Sequence, residues 1–292
     1  MSMPLSAERQ TMVDRVLVTG GTGKTGALVA QQLTARGVEP RIATRNATMP
    51  EQVRFEWGDV ASHRTALDGV DAIYLVAPTD RTDHLTVMRP LLEQAVAQGV
   101  AQLVLLSASS IDEGGPMMGE VHGWLNANAP RWTILRPSWF MQNFVTQHLP
   151  SIINEGCIYS ATKHGRIPFI DAADIAAVAV EALVDPVFGS GERILTGPEA
   201  LSYDEVADRI TAVAQRPVHH CRLSVEQLAR RYAGFGIPEG YADTLARMDD
   251  AISYGSEDRT TTEVEQITGR MPTKLTAFLA AHREAYQGRQ SG

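Results

Sequence analysis

Cysteine is nearly absent. Cys157 and Cys221 are the only two, far apart and in no CxxC motif. That spacing predicts two free, buried thiols of a cytoplasmic protein. Long apolar runs are missing too: none approaches the roughly 20 residues a bilayer span needs. Met1–Gln10 has no signal-peptide core and reads as a short disordered or tag-like lead-in. Basic charge is in deficit. With 26 Lys+Arg against 34 Asp+Glu the net charge is −8, which argues against nucleic acid as the main partner, because phosphate binding needs a basic face. There is no internal repeat and no low-complexity segment. What remains is a 292-residue chain, 44% hydrophobic and 21% charged, long enough for one large domain or one domain with a smaller lobe.

The most informative stretch is Val16–Gly26, a short run of strand formers entering a turn with four glycines. Ala27–Leu33 follows with helical apolar spacing. Gly20, Gly23 and Gly26 lie three apart, which allows a tight turn and close approach of a ligand to the backbone. The helix is expected to open near Thr22, presenting unpaired N–H groups and a partial positive charge to a pyrophosphate. Gly20, Thr22, Gly23, Lys24, Thr25 and Gly26 are therefore candidate cofactor-binding residues.

Further strands are expected at Pro40–Arg45, Val53–Trp57, Asp71–Val76, Leu103–Leu106 and Trp132–Leu135, separated by helical segments. Strand and helix alternating every 25 to 30 residues or so imply an α/β, Rossmann-like doubly wound parallel sheet. All strand carboxyl ends then share one edge. The second strand ends in Thr44-Arg45-Asn46, without the acidic residue that an NAD site usually carries there. Arg45 could pair with a 2′-phosphate or lie solvated. Asp59 could accept from an adenine amino group or cap the following helix, with Val60 beside it. Val76, Ala77, Pro78, Ser107 and Pro137 converge on the same edge.

Arg136–Phe144 leaves that edge as an aromatic run in a chain only 6% aromatic. Trp139 and Phe140 would wall an apolar pocket carrying one amide, Asn143, unless the run is simply a helix packed by its aromatics. Ile167–Ile170 is expected to return to the sheet, with Asp174 capping the next helix. The division is read as a cofactor-binding domain over 12–188, with pocket segments near 138–170, and a smaller, mainly helical lobe over 189–292. In that lobe, Ser202–Glu205 and Ser224–Gln227 have capping-box spacing. Helices are also expected over 239–253, 263–268 and 273–286. The loop Tyr232–Gly236, with Phe235, is either a lid or an ordinary surface loop.

Lysine is scarce as well, with only Lys24, Lys163 and Lys274. A Tyr-x-x-x-Lys pair on one helix is a common proton-donating device, the lysine lowering the tyrosine pKa. The one match, Tyr159 to Lys163, lies in loop-like surroundings after the sixth strand and is not expected to serve. His122 stands on the helix where such a pair would sit, as a proton donor or a packed histidine. His219, His220 and Cys221 are adjacent on a probable strand, so they face opposite ways and no metal site is expected.

These residues resemble the NmrA-like branch of the atypical short-chain dehydrogenases, through the glycine turn, Arg45, Val76–Pro78, Leu105–Ser109 and Phe169–Asp174. Within it the chain is more similar to the ergot-alkaloid reductases, the festuclavine and agroclavine dehydrogenase group. That similarity rests on Leu105–Ser110, Gly114–His122, Leu135–Phe144 and Ile158–Thr162. The resemblance implies an NADPH/NADP-dependent reductase acting on an imine or iminium carbon of a small organic substrate. Such a carbon is already electrophilic, so the missing Tyr/Lys pair is understandable. Phe140 would line the cofactor, and Trp139, Asn143, Tyr159, Phe169 and Phe235 the substrate, with His122 and Ser109 as auxiliary catalytic groups. Lys163-His164 departs from the small or acidic pair frequent in relatives. Quinone or carbonyl reduction and a non-catalytic NADP(H) sensor are the alternatives. Monomer and homodimer are both left open.

Overall fold

The computed structural model describes residues 13–287, so the lead-in Met1–Gln10 lies outside the described residues. The strands are β1 (Arg15–Val18), β2 (Glu39–Thr44), β3 (Gln52–Arg54), β4 (Ala72–Val76), β5 (Gln102–Leu106), β6 (Trp132–Pro137), β7 (Cys157–Ser160), β8 (Arg166–Ile167), β9 (Gly191–Leu195), β10 (Leu201–Ser202) and β11 (His219–Arg222). The helices are α1 (Gly26–Ala35), α2 (Val60–Ala66), α3 (His84–Ala97), α4 (Met118–Asn128), α5 (Leu149–Glu155), α6 (Ala172–Val184), α7 (Tyr203–Ala214), α8 (Val225–Gly234), α9 (Glu239–Ile252), α10 (Glu263–Thr268), α11 (Leu275–Ala281) and α12 (Arg283–Tyr286). No described helix is long and apolar enough to cross a membrane.

Seven parallel strands form one sheet in the order β3-β2-β1-β4-β5-β6-β9. Its inner strands are covered on both faces, and their side chains alternate between two cores, as the two-residue period of a strand requires. Leu17, Ile73, Leu75, Leu103 and Leu105 pack with Met88, Leu91 and Leu92 of α3 and Val121 and Leu125 of α4. Val16, Val18, Ala72, Tyr74 and Val104 pack on the other face with Val29 and Leu33 of α1 and Ile175, Val178 and Ala179 of α6. This is the doubly wound architecture expected from the alternation of strand and helix.

A third core lies beyond the strand carboxyl ends. Phe144, Phe169 and Tyr203 meet edge to face there, with Phe144–Phe169 centroids 5.0 Å apart, alongside Ile158, Ile210, Phe278 and Tyr286. Two small sheets support it: β7 paired with β11, and β8 with β10. Both expected capping boxes form, at Ser202/Glu205 and Ser224/Gln227.

Several local expectations need correction. α1 opens at Gly26, not near Thr22, because Gly20–Thr25 is used up in the turn that Gly23 N–H closes onto Gly20 O. Asp171, not Asp174, caps α6: its extended backbone lets the carboxylate accept from Ala173 N–H at 2.9 Å. Asp174 is buried inside the first turn and accepts from Thr273 N–H at 2.7 Å. The segment after Ile167 does not rejoin the main sheet. β8 pairs with β10, and only Ile170 bridges back, to Phe140. Conversely β9, beyond residue 188, is the seventh strand of the sheet, in parallel register with β6. The helix expected over 273–286 is broken at His282. Cys157 and Cys221 are not free thiols. β7 and β11 run side by side, the two Cα atoms are 5.8 Å apart, and the sulfurs are bonded.

Candidate functional site

The glycine turn sits between β1 and α1 with no room for side chains inside it. Gly20 has φ +59°, the left-handed region that favours glycine. A Cβ on Gly26 would lie 2.3 Å from Gly20 O, and one on Gly21 2.7 Å from Ile42 Cγ2. The N–H groups of Thr22, Lys24 and Thr25 find no acceptor among the described residues. Thr22, Gly23 and Lys24 are exposed, whereas Thr25 and Gly26 are buried beneath them. A bare backbone cradle with free donors at a helix start fits the pyrophosphate of a dinucleotide.

The neighbouring strand ends line up with it. Thr19 Oγ1 accepts from Val76 N–H at 2.7 Å and fixes the exit of β4, where Val76, Ala77 and Pro78 are half-buried. Ser107 N–H donates to Leu135 O at 2.8 Å, and Ser109 N–H to Pro137 O at 2.9 Å, so the exits of β5 and β6 stay adjacent. Phe140 packs against the sheet core. Arg45 is exposed and has no hydrogen bond or ion pair with another described residue, leaving its guanidinium available. Asp59 caps α2 through Ala61 N–H, and Arg54 Nη1 donates to its carboxylate at 2.7 Å. Val60, next to it, is exposed. The structure thus shows Asp59 in the capping role.

From the exit of β6 the chain passes Trp139 and makes one turn of 3-10 helix, Met141–Val145. Asn143 on that turn accepts from Lys24 Nζ at 2.8 Å, which links the glycine turn to the wall of a cavity of about 150 Å³. Lys24 is exposed as a residue, yet the protein around its ammonium lowers its pKa by desolvation. Trp139, Tyr203, Tyr232, Leu245 and Met248 form the apolar and aromatic lining; His148 and Asp249 add ionisable groups. His148 is buried and stacked on Phe144, and desolvation holds it neutral with its pKa lowered to about 4. Asp249 is only 4% exposed, and burial pushes its carboxyl up to about 7. Desolvation, then the Asp249 charge, pushes the phenols of Tyr203 and Tyr232 upward.

Other predicted site residues lie elsewhere. Phe169 is buried behind Tyr203 and is not in the lining. Tyr159 donates to Glu155 at 2.6 Å and lies under the Arg231 guanidinium, on the far side of β7. It stands on a strand and Lys163 in a turn, so the two share no helix face. Phe235 is 63% exposed. His122 is buried with its ring 5.4 Å from Trp132, and desolvation lowers its pKa. Ser109 Oγ donates to the buried Glu257 at 2.7 Å, and Ser138 Oγ to the same oxygen at 3.2 Å. Neither His122 nor Ser109 lines the cavity.

Asp249, Tyr203, His148, Leu245 and Met248 were missed in the sequence. One signal was available: Asp249 continues the buried stripe Ala242, Ala246 and Ile252 of α9, where a carboxylate is out of place.

The profile of NAD(P)H-binding domains matches residues 20–186, and that of the NmrA-like family residues 120–281. The oxidoreductase YesF of Bacillus subtilis (strain 168) is 44% identical over 271 residues, covering 91% of this chain and 94% of that protein. Agroclavine dehydrogenase of Claviceps fusiformis is 36% identical over 284 residues, covering 93% and 98%. The structure of the Escherichia coli NADPH-dependent quinone oxidoreductase complexed with NADPH shares the fold, with TM-score 0.76, 23% identity, and coverage of 91% of this chain and 99% of that one. The chain therefore belongs to the NmrA-like family and is an NAD(P)H-binding oxidoreductase.

Proposed function

We propose that the protein is an NADPH-dependent reductase that delivers hydride to the carbon of an imine or iminium group in a small organic substrate. The observation that carries this reading is the aromatic cavity with one buried carboxylate, tied to the glycine turn through Lys24 and Asn143. A bound reduced nicotinamide supplies the hydride. The chain's own part is to bind, orient and keep water away. Thr22, Lys24 and Thr25 offer N–H groups to the pyrophosphate, and Arg45 offers a guanidinium to a 2′-phosphate. Trp139, Tyr203 and Tyr232 hold a planar cation by its face, worth about 0.5–2 kcal/mol. Leu245 and Met248 close the apolar side. The 36% identity to an agroclavine dehydrogenase supports a dehydrogenase or reductase acting on a small organic molecule.

The raised pKa of Asp249 favours one second reading, reduction of a quinone or other carbonyl. There the neutral acid would donate its proton to the oxygen. His122 and Ser109, placed outside the lining, would then support α4 and the β5 exit without moving protons. NADPH consumption over a panel of cyclic imines, quinones and enals tests the assignment. Turnover is expected with imines and to exceed that with quinones and enals. Absence of turnover with every compound, together with tight binding of oxidised cofactor, would replace the reductase by a cofactor sensor.

A further inference from the structure

Asp249 is an acid without a counter-ion. Its Oδ2 accepts from Ala161 N–H at 3.0 Å, while Oδ1 has no partner among the described residues. No described Lys, Arg or His lies within ion-pair distance of it. The nearby cations are all engaged elsewhere. Lys24 donates to Asn143, Arg231 reaches Glu155 and Lys163 reaches Asp250, while His220, its pKa lowered to about 4 by burial, is no cation and bonds Ser160 Oγ. The remaining groups around the cavity carry no charge near neutral pH: His148 is held neutral by burial, and Tyr203 and Tyr232 keep their protons. A buried carboxylate costs folding free energy unless something positive offsets it. Here nothing in the described chain does, and the carboxylate belongs to the lining of the cavity. Trp139, Tyr203 and Tyr232 stand around the same space, and aromatic faces attract planar cations. A cavity of about 150 Å³ is the size that takes one aromatic ring.

We propose that Asp249 is the counter-ion for a cationic nitrogen of the substrate, so that the cavity selects iminium, protonated imine or amidinium groups over uncharged molecules of the same shape. This rests on reading the cavity as the substrate site. It makes Asp249 a specificity-determining residue and gives the site a pH dependence with a definite sign. The carboxyl is pushed up to about 7 by burial, so it is mostly neutral at pH 6 and mostly ionised at pH 8. Cation affinity therefore rises with pH across that interval. The groups facing Asp249 do not blur it. His148 titrates near 4, and the two phenols titrate well above the range.

The test uses two soluble one-ring probes of matching shape, benzamidine (a cation throughout this pH range) and benzamide (uncharged). Binding of each to the NADP+-saturated protein is measured by calorimetry at pH 6 and pH 8. Benzamidine is expected to bind at least tenfold tighter than benzamide at pH 8, and about tenfold more weakly itself at pH 6. Asp249→Asn, which keeps an acceptor for Ala161 N–H, should erase the preference and its pH dependence while changing benzamide affinity less than threefold. If that variant does not fold, as judged by circular dichroism, the wild-type pH comparison decides alone. Equal affinity of the two probes, or a preference that survives in Asp249→Asn, would overturn the proposal. NADPH oxidation over the panel of cyclic imines, quinones and enals is followed on the same samples. Charge preference without turnover of any compound in the panel keeps Asp249 as a cation site and sinks the reductase reading. Turnover without charge preference does the reverse.

Discussion

Lys24 and Asn143 stand 119 positions apart and meet in a 2.8 Å hydrogen bond, Nζ donating to Oδ1. One lies in the glycine turn after β1; the other sits on the 3-10 turn after β6. The bond joins the proposed cofactor cradle to the cavity wall, so a change in one should be felt in the other. Because the pair is exposed, its coupling is expected to be modest, about 0.2–1 kcal/mol. A double-mutant cycle on NADPH affinity with Lys24→Met and Asn143→Ala measures it. Strict additivity would mean that the contact carries no energy between the two sites.

Arg45 directly follows β2, at the strand end that is acidic in NAD-selective sites, and no described residue pairs with it. Arg45→Ala is expected to weaken NADPH binding by about 1–3 kcal/mol, the scale of a charge-assisted pair, and to leave NADH nearly unchanged. Titration of both cofactors against both proteins checks this. Equal losses would show that Arg45 does not read the 2′-phosphate.

The sheet was legible in the sequence because burial on both faces leaves a strong local mark. Ala72–Val76 and Leu103–Leu106 read as continuous apolar runs, and Gly20 to Gly26 announces the turn between β1 and α1. The lobe was legible only where its signals are local, as at Ser202/Glu205 and Ser224/Gln227. The parallel pairing of β7 with β11 is non-local and involves four residues on each strand, so nothing near Cys157 points to Cys221. Asp249 shows the same limit. Its place on the buried stripe of α9 is visible in the helical period, but only the packing of α7, α8 and the 3-10 turn reveals that a cavity and not an arginine stands in front of it.

The Cys157–Cys221 bond closes a loop across 64 positions. Cross-linking a loop of that length restricts the unfolded chain and is expected to add roughly 2–4 kcal/mol. Urea unfolding with and without reductant, and of Cys157→Ser with Cys221→Ser, should show that loss. α8 follows β11 directly and carries Tyr232 to the cavity, so reduction should also weaken benzamidine binding. Thiol titration of the unfolded, unreduced protein gives the direct check: two free thiols would contradict the bond.

Burial of Asp249 also makes the protein's stability depend on pH. The folded-state pKa is raised to about 7, from an ordinary value near 3.8. Between these values the folded protein keeps a proton that the unfolded chain releases. Stability from this group is therefore full at about pH 4 and below, falls as pH rises toward 7, and stays low above it. A shift of this size corresponds to at most about 4 kcal/mol. His148 works in the opposite direction. Its folded pKa is lowered to about 4 from 6.5, so its contribution is present above 6.5 and lost as pH falls toward 4. The wild-type curve superposes the two, and Asp249→Asn removes one of them. The difference between variant and wild type should be near zero at pH 4 and should rise to a plateau of a few kcal/mol in the variant's favour above pH 7. Urea unfolding at pH 4, 5.5, 7 and 8.5 reads this directly. Parallel curves across that range would mean that Asp249 is not the titrating group. Its carboxyl would then be better solvated in the cavity than its 4% exposure implies.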